Sequence, residues 1–321
     1  MFSAQYLNAL AAKTDFQTAS LQKQMSLIVI LREIQRHPLL GKTFVLRGGT
    51  AINLFWYDLP RLSVDIDLNY IGGPDKAVMQ QERGTLEKQL SRLLESLGIS
   101  VERKPDEHAG GKWRLRATSA FGGNFTLEID LNYIMRIPVW GIHSRPAQSP
   151  DADYTTDFPT VSLEELFAGK IKALMDRSAA RDLYDVFHLA SDPLNIDLLK
   201  LKKALILFGI TCDQDWRQKG HSTIDAIDNV MAGTELNPLL RSSDEPDLKK
   251  MKATVKAFLG ELMKYTDDER LFLDRFLDRA VYEPQLLFKD SEQARALSAH
   301  PAVLWKLQNH RKFLRLPVTH T

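Results

Sequence analysis

The stretch Arg61-Leu62-Ser63-Val64-Asp65-Ile66-Asp67-Leu68 alternates between polar and apolar side chains. A β-strand sends successive side chains to opposite faces, so the pattern predicts a strand. Leu62, Val64, Ile66 and Leu68 fall on one face, Ser63, Asp65 and Asp67 on the other. The apolar face anchors the strand in a core while two carboxylates project together from the opposite side. Like charges that close repel, and a cation between them removes the conflict. The ligands on offer are oxygens only, which suits Mg²⁺ or Mn²⁺.

Sixteen residues before Asp65 ends the pair Gly48-Gly49. A short strand over residues 43–46 leads into it, and a short helix over residues 50–57 follows, broken at Leu59-Pro60. Glycine lets the chain turn sharply and approach a ligand with no Cβ in the way. Amide groups at the start of the next helix, beside Thr50, make a natural phosphate site. Gly48, Gly49, Thr50 and Ser63 are thus expected to hold phosphates, and Asp65 and Asp67 a metal: a metal–triphosphate site. Residues 124–133 repeat the strand pattern, with Phe125, Leu127, Ile129 and Leu131 on one face and Thr126, Glu128, Asp130 and Asn132 on the other. Asp130 is the expected third carboxylate. It would deprotonate an incoming hydroxyl or share a second metal ~3.5–4 Å from the first.

Around these motifs the chain reads as α+β. Helix periodicity covers residues 21–39 and a stretch from 75 to about 97. Strands are expected at 100–103, 112–118 and 124–133, with hairpin turns at Ala109-Gly110-Gly111 and Gly122-Gly123. Residues 144–158 have a linker composition. Beyond them helices are expected at 162–176, 179–190, 196–208, 222–231, 248–265, 267–280 and 291–308, with Ser162 and Glu165 as a capping box. This gives a mixed α/β domain over 1–150 and a helical domain over 151–321, in a bilobed arrangement.

With 42 basic and 41 acidic residues the whole-chain charge points to no partner, so any polyanion would need a local basic patch. Arg103, Lys104, Lys112, Arg114 and Arg116 form one basic stretch, and Lys200, Lys202, Lys203, Lys249, Lys250, Lys252 and Lys256 lie on helices. A phosphate-backbone contact is conceivable at each, and a solvated face is the plainer account. Cys212 is the single cysteine, which excludes a disulfide framework and a cysteine-rich zinc site. The start of the chain lacks the basic and apolar segments of a leader, and no apolar run approaches a membrane span. A cytoplasmic protein without membrane contact is expected.

The helical half carries a second constellation. Lys170 and Lys172 lie on one helix, and Arg181, Asp182 and Asp185 on the next. At helical spacing Asp182 and Asp185 are neighbours, and Arg181 sits one turn before Asp185. Periodicity alone favours a salt-bridged helix surface over a site.

The glycine turn, the aspartate strand and the later acidic strand resemble the nucleotidyltransferase superfamily. More closely, Leu46-Arg47-Gly48-Gly49-Thr50-Ala51 with Leu59-Pro60-Arg61-Leu62-Ser63-Val64-Asp65-Ile66-Asp67-Leu68 resembles the AbiEii/AbiGii toxins of type IV toxin–antitoxin and abortive-infection systems. That resemblance extends to a lysine helix followed by an Arg-Asp-x-x-Asp helix. It implies that Lys170 binds nucleotide, with Lys172 as a rival, and that Asp185 is an essential acid beside Arg181 and Asp182. It further implies transfer of a nucleoside monophosphate from an NTP to an acceptor hydroxyl, such as a tRNA 3′ end, and a separately encoded antitoxin of winged-helix type. Three rivals remain open from the residues: an enzyme modifying a protein or small molecule, a nucleotide-binding module without activity, and a glycosyltransferase using its Asp-x-Asp pair with manganese.

Overall fold

The computed structural model describes residues 2–105, 109–192 and 195–316; Met1 of the leader reading and residues 317–321 of the expected helical domain lie outside them. Seven strands, β1 (Phe44–Arg47), β2 (Asp65–Tyr70), β3 (Ser100–Arg103), β4 (Gly110–Thr118), β5 (Asn124–Asn132), β6 (Ile142–Pro146) and β7 (Asp157–Val161), join in one mixed sheet. Their order is β3-β4-β5-β2-β1-β7-β6. The fold is α+β, as the alternation patterns and helical periodicities require.

Contacts divide the chain into two units that are not contiguous in sequence. The first comprises Met1–Arg136, Gly141–Ser162 and Val230–Pro246; the second comprises Ile137–Trp140, Leu163–Asn229 and Asp247–Thr321. A single division at residue 150 falls inside the stretch 141–162, which packs wholly within the first unit. The reason is that both ends of the expected linker, 144–158, belong to strands. These strands are β6 and β7, with β7 running parallel to β1 through the Leu46–Thr160 pair. Pro146, Pro150 and Pro159 disguise them. Pro146 ends the edge strand β6, where a missing N–H costs no ladder bond.

In the first unit the sheet has one buried face. Ile66 and Leu68 of β2, Leu127, Ile129 and Leu131 of β5, and Trp113 and Leu115 of β4 are at most 1% exposed. The helix Lys76–Ser96 lies on that face, where the Arg83 guanidinium stacks 4.8 Å from the Tyr133 ring. Its Leu86, Leu90 and Leu94 are buried, as are Leu21, Met25, Ile28 and Leu31 of the helix Thr18–Arg36. Each buried leucine is worth ~1.5–3 kcal/mol. Asp75 caps the Lys76–Ser96 helix by accepting the Val78 N–H at 2.9 Å, and Gly98 at φ +73° ends it.

The segment 230–246 returns to pin the chain just ahead of β2. Leu239 O accepts the Leu62 N–H at 2.8 Å, and Pro238 O accepts the Ser20 hydroxyl. Nothing local in the sequence marks this return.

In the second unit the helix Leu163–Asp176 packs on Ala180–Ser191 and on Leu198–Gly209, and Leu248–Leu262 packs on Ala180–Ser191. The helix Asp267–Arg279 opens on a reciprocal capping box between Thr266 and Glu269. The helix expected over 291–308 is two, Ser291–Ser298 and Pro301–Phe313, because Pro301 starts a new helix at its first turn. The single helix expected over 222–231 is likewise broken into Ser222–Ala226 and short turns after it. Among the described residues, no helix is long and apolar enough to cross a membrane.

Candidate active site

Sheet register brings the first constellation together. Arg47 of β1 pairs with Asp67 of β2, Asp67 with Asp130 of β5, and Asp130 with Lys112 of β4. One row therefore reads Arg47, Asp67, Asp130, Lys112 across four strands. The next row reads Asp65, Glu128, Arg114. Paired residues share a face, so Asp65, Asp67, Glu128 and Asp130 all stand on the side opposite the buried core. The expected convergence of Asp65, Asp67 and Asp130 on one face is what the register delivers.

The glycine turn closes directly on this row. Gly48 has φ +76°, a left-handed conformation that favours glycine. A Cβ there would lie 2.0 Å from Asp67 Oδ2, so any side chain at 48 would displace the carboxylate. Gly48 is thus required twice over, by its backbone angle and by its contact. Gly49 and Thr50 continue into the short helix Gly48–Ala51, which runs on as a π turn over Ile52–Trp56. The Gly49 carbonyl accepts the Asn53 amide at 2.8 Å.

Thr50 and Ser63 are placed differently from open phosphate ligands. Both are buried, their hydroxyl oxygens lie 2.7 Å apart, and the Thr50 hydroxyl also donates to the Asp65 carbonyl. The Ser63 N–H donates to buried Gln24 at 2.7 Å. Strand pairing begins only at Asp65, so Ser63 belongs to the approach rather than to the strand face. The two hydroxyls fasten the glycine turn to the start of the aspartate strand.

Cations border the carboxylates on both sides. Arg47 Nη2 reaches across β2 to Asp130 Oδ2 at 3.1 Å, with both side chains a little over a quarter exposed. Lys112 Nζ lies 2.9 Å from Glu128 Oε2. That hydrogen bond, aided by the Glu128, Asp65 and Asp67 charges and opposed by partial burial, raises the Lys112 ammonium above its ordinary value. Arg47 and Glu128 were not among the expected site residues. The signal for both was present, since Glu128 shares Asp130's face and Arg47 abuts the glycine pair.

The donor set fits a hard divalent cation. Mg²⁺ is typically held by one or two carboxylates and completed by substrate phosphates and water. Asp65 and Asp67 supply that pair of oxygen donors, and the absence of a Cβ at Gly48 lets the Asp67 carboxylate pack against the glycine turn. Among the described residues no three His, Cys, Asp or Glu side chains converge on one ion position, and the Asp130 carboxylate is turned to Arg47. Asp65 and Asp67 are accordingly the residues that would hold the ion.

In the second unit, Lys170 lies buried on Leu163–Asp176, facing the Ala180–Ser191 helix. Its Nζ lies 2.8 Å from Asp182 Oδ1 and 3.0 Å from Asp185 Oδ2. Asp182 and Asp185 are at most 2% exposed, and Arg177 Nε reaches Asp182 at 2.9 Å. Burial alone would push the Asp182 carboxyl up; the Lys170 and Arg177 charges outweigh it and hold the group below its ordinary value. These charges form an interior network, not a solvated helix surface. Arg181 lies half-buried beside Asp182. Lys172 points elsewhere, pairing with Asp176 at 2.7 Å, so Lys170 is the lysine that meets the Arg-Asp-x-x-Asp helix.

Glu165 shows why helix-start carboxylates can mislead. It is fully buried and accepts the Val139 N–H at 2.7 Å. Burial pushes its carboxyl up to about 8, against the lowering effect of backbone hydrogen bonds from Val139 and Trp140.

A mixed sheet with a glycine turn closed on paired carboxylates, followed by a lysine helix and an acidic helix, fits the nucleotidyltransferase class. The profile of the family described as "Nucleotidyl transferase AbiEii toxin, Type IV TA system" matches residues 29–289, and the chain belongs to that family. It is a nucleotidyltransferase toxin of the type IV toxin–antitoxin class. Among solved structures it is similar to MenT4, a nucleotidyltransferase toxin from Mycobacterium tuberculosis. That likeness has a TM-score of 0.65 at 16% identity and covers 95% of this chain and 99% of the other, a likeness of fold. Among curated proteins no sequence matches.

Proposed function

We propose that the protein transfers a nucleoside monophosphate from an NTP to the 3′ hydroxyl of an RNA, with tRNA as the acceptor, using Mg²⁺ or Mn²⁺ at Asp65 and Asp67. The observation that carries this reading is the Asp67–Asp130 register beside Gly48, where the backbone abuts a carboxylate with no room for a Cβ. The divalent ion supplies charge neutralisation to the triphosphate and to the departing pyrophosphate. Main-chain amides at Gly48 and Gly49 orient the phosphates, since Thr50 and Ser63 use their hydroxyls to fix the turn. The acceptor oxygen attacks the α-phosphorus, the bond from that phosphorus to the bridging oxygen breaks, and pyrophosphate leaves. The acceptor's proton passes to Asp130, which Arg47 holds in place.

Lys170 is assigned to the nucleotide's negative charge, with Asp182 and Asp185 fixing it and Arg181 beside them. A toxin of this kind works in the cytoplasm, where NTP and tRNA are found, and is opposed by a separately encoded antitoxin of winged-helix type. Blocking tRNA 3′ ends would halt aminoacylation and arrest growth.

The test supplies each α-³²P-labelled NTP with Mg²⁺, purified tRNA and cell extract. Label is expected at RNA 3′ ends, removable by a 3′ exonuclease. Label in protein alone, or in small molecules alone, overturns the RNA acceptor and leaves the transferase assignment standing.

A further inference from the structure

Beyond the carboxylates, the open face of the sheet continues across β4 to β3, and a single irregularity decides which charges it presents. Val101 of β3 pairs with Leu115 of β4, and Arg103 pairs with Arg114, so Glu102 is an extra residue in β3, a bulge. With an unbroken ladder Glu102 would stand opposite Arg114 as a favourable cross-strand pair. The bulge instead sends Glu102 to Arg116 and sets Arg103 directly opposite Arg114. Like charges directly opposite on a sheet are destabilising.

The neighbouring cations are all engaged: Lys104 with Glu87, Lys112 with Glu128, Arg116 with Glu102, and Arg47 with Asp130. Arg103 and Arg114 are exposed, and among the described residues neither has a carboxylate partner. Bulges near functional sites re-aim side chains, and this one assembles a two-guanidinium platform in line with the acidic row.

The order of strands gives the platform a direction. Gly48 lies on the β1 side of Asp67, whereas Arg114 and Arg103 lie on the β4 and β3 side. Strands are about 5 Å apart, so Arg114 stands ~10 Å from Asp65 across the sheet and Arg103 ~15 Å. We propose that Arg103 and Arg114 form the entry track for the acceptor, binding backbone phosphates of an RNA strand whose 3′ hydroxyl is thereby led to Asp130. The triphosphate then occupies the glycine side and the acceptor the arginine side of the same carboxylates. Planar guanidinium groups suit phosphate oxygens through paired hydrogen bonds. This rests on the RNA-acceptor reading above.

The experiment measures binding of 5′-fluorescein-labelled tRNA by anisotropy over a range of salt, for wild type, Arg103→Gln/Arg114→Gln and Arg103→Glu. Each phosphate contact contributes ~0.7–0.9 to the slope of log K against log salt, so the double variant is expected to lower that slope by ~1.4–1.8. KM for the acceptor rises while KM for the NTP holds. Arg103→Glu, which restores an opposite-charge pair with Arg114, is expected to raise Tm and to weaken tRNA binding together. An unchanged slope and affinity in folded variants overturns the track while leaving the RNA reading intact. Failure of the wild type to bind tRNA overturns both.

Discussion

Two pairs of aspartates, three or fewer residues apart in sequence, meet opposite fates in this molecule. Asp65 and Asp67 project from an open sheet face, with Gly48 pressed against one of them. Asp182 and Asp185 are buried and closed by the ammonium of Lys170 from within. The strand pair lies half-buried on the sheet face bordered by Arg47 and Lys112; the helix pair is buried against a lysine of the same unit. On the function proposed above, the same residue type faces the substrate's metal in one unit and fixes a buried lysine in the other.

The largest contrast appears when each site loses a charge. Lys170→Met removes the ammonium that two buried carboxylates share, leaving Asp182 to Arg177; breaking a buried pair costs about 3–5 kcal/mol, so urea unfolding monitored by circular dichroism should show a marked loss. Neutralising Asp182 and Asp185 alongside it should recover much of that stability, without recovering transfer. Gly48→Ala is the counterpart in the first unit. The added Cβ collides with Asp67, and a misplacement on the ångström scale costs ~10²-fold in rate, read as pyrophosphate release. A stable Gly48→Ala enzyme with full activity would mean the glycine contact is incidental.

Glu165 sharpens the same contrast through pH. Its folded carboxyl titrates near 8, above the unfolded value of about 4.5. The protonated form is thus favoured by the fold. Its contribution is complete below pH 4.5 and is lost progressively as pH rises towards 8, a change on the order of a few kcal/mol. Wild-type Tm should fall over that window more steeply than in Glu165→Gln, and parallel curves would reject the assignment. The smallest effect is expected at Lys172→Met. Its partner Asp176 keeps Lys219 at 2.7 Å, so a loss of about 1 kcal/mol or less in unfolding free energy is expected.

The legibility of these features in the sequence follows the range of the interactions that make them. The aspartate strands declared themselves because period-two alternation is local; the register that sets Asp67 beside Asp130 is seen only in the sheet. The helices Leu163–Asp176 and Ala180–Ser191 were equally plain. What stayed hidden depended on distant partners. β6 and β7 are rich in proline and polar residues, and β7 exists because β1 and β6 flank it. The segment 230–246 joins the first unit through Leu239 and Pro238, with no motif of its own. Ser63 looked like a strand residue because it obeys the alternation, yet its hydroxyl is held by Thr50. Spacing could not say which of Lys170 and Lys172 meets the Arg-Asp-x-x-Asp helix; packing against Asp182 and Asp185 shows that Lys170 does.

The central claim is that the open pair, not the buried one, binds the metal–triphosphate. It is tested most directly by Asp67→Asn, measured for nucleotidyl transfer from α-labelled NTP at saturating Mg²⁺ together with Tm. The account predicts transfer lowered by on the order of 10³-fold or more in a protein that still unfolds cooperatively. Transfer at the wild-type rate in a folded Asp67→Asn protein would contradict it.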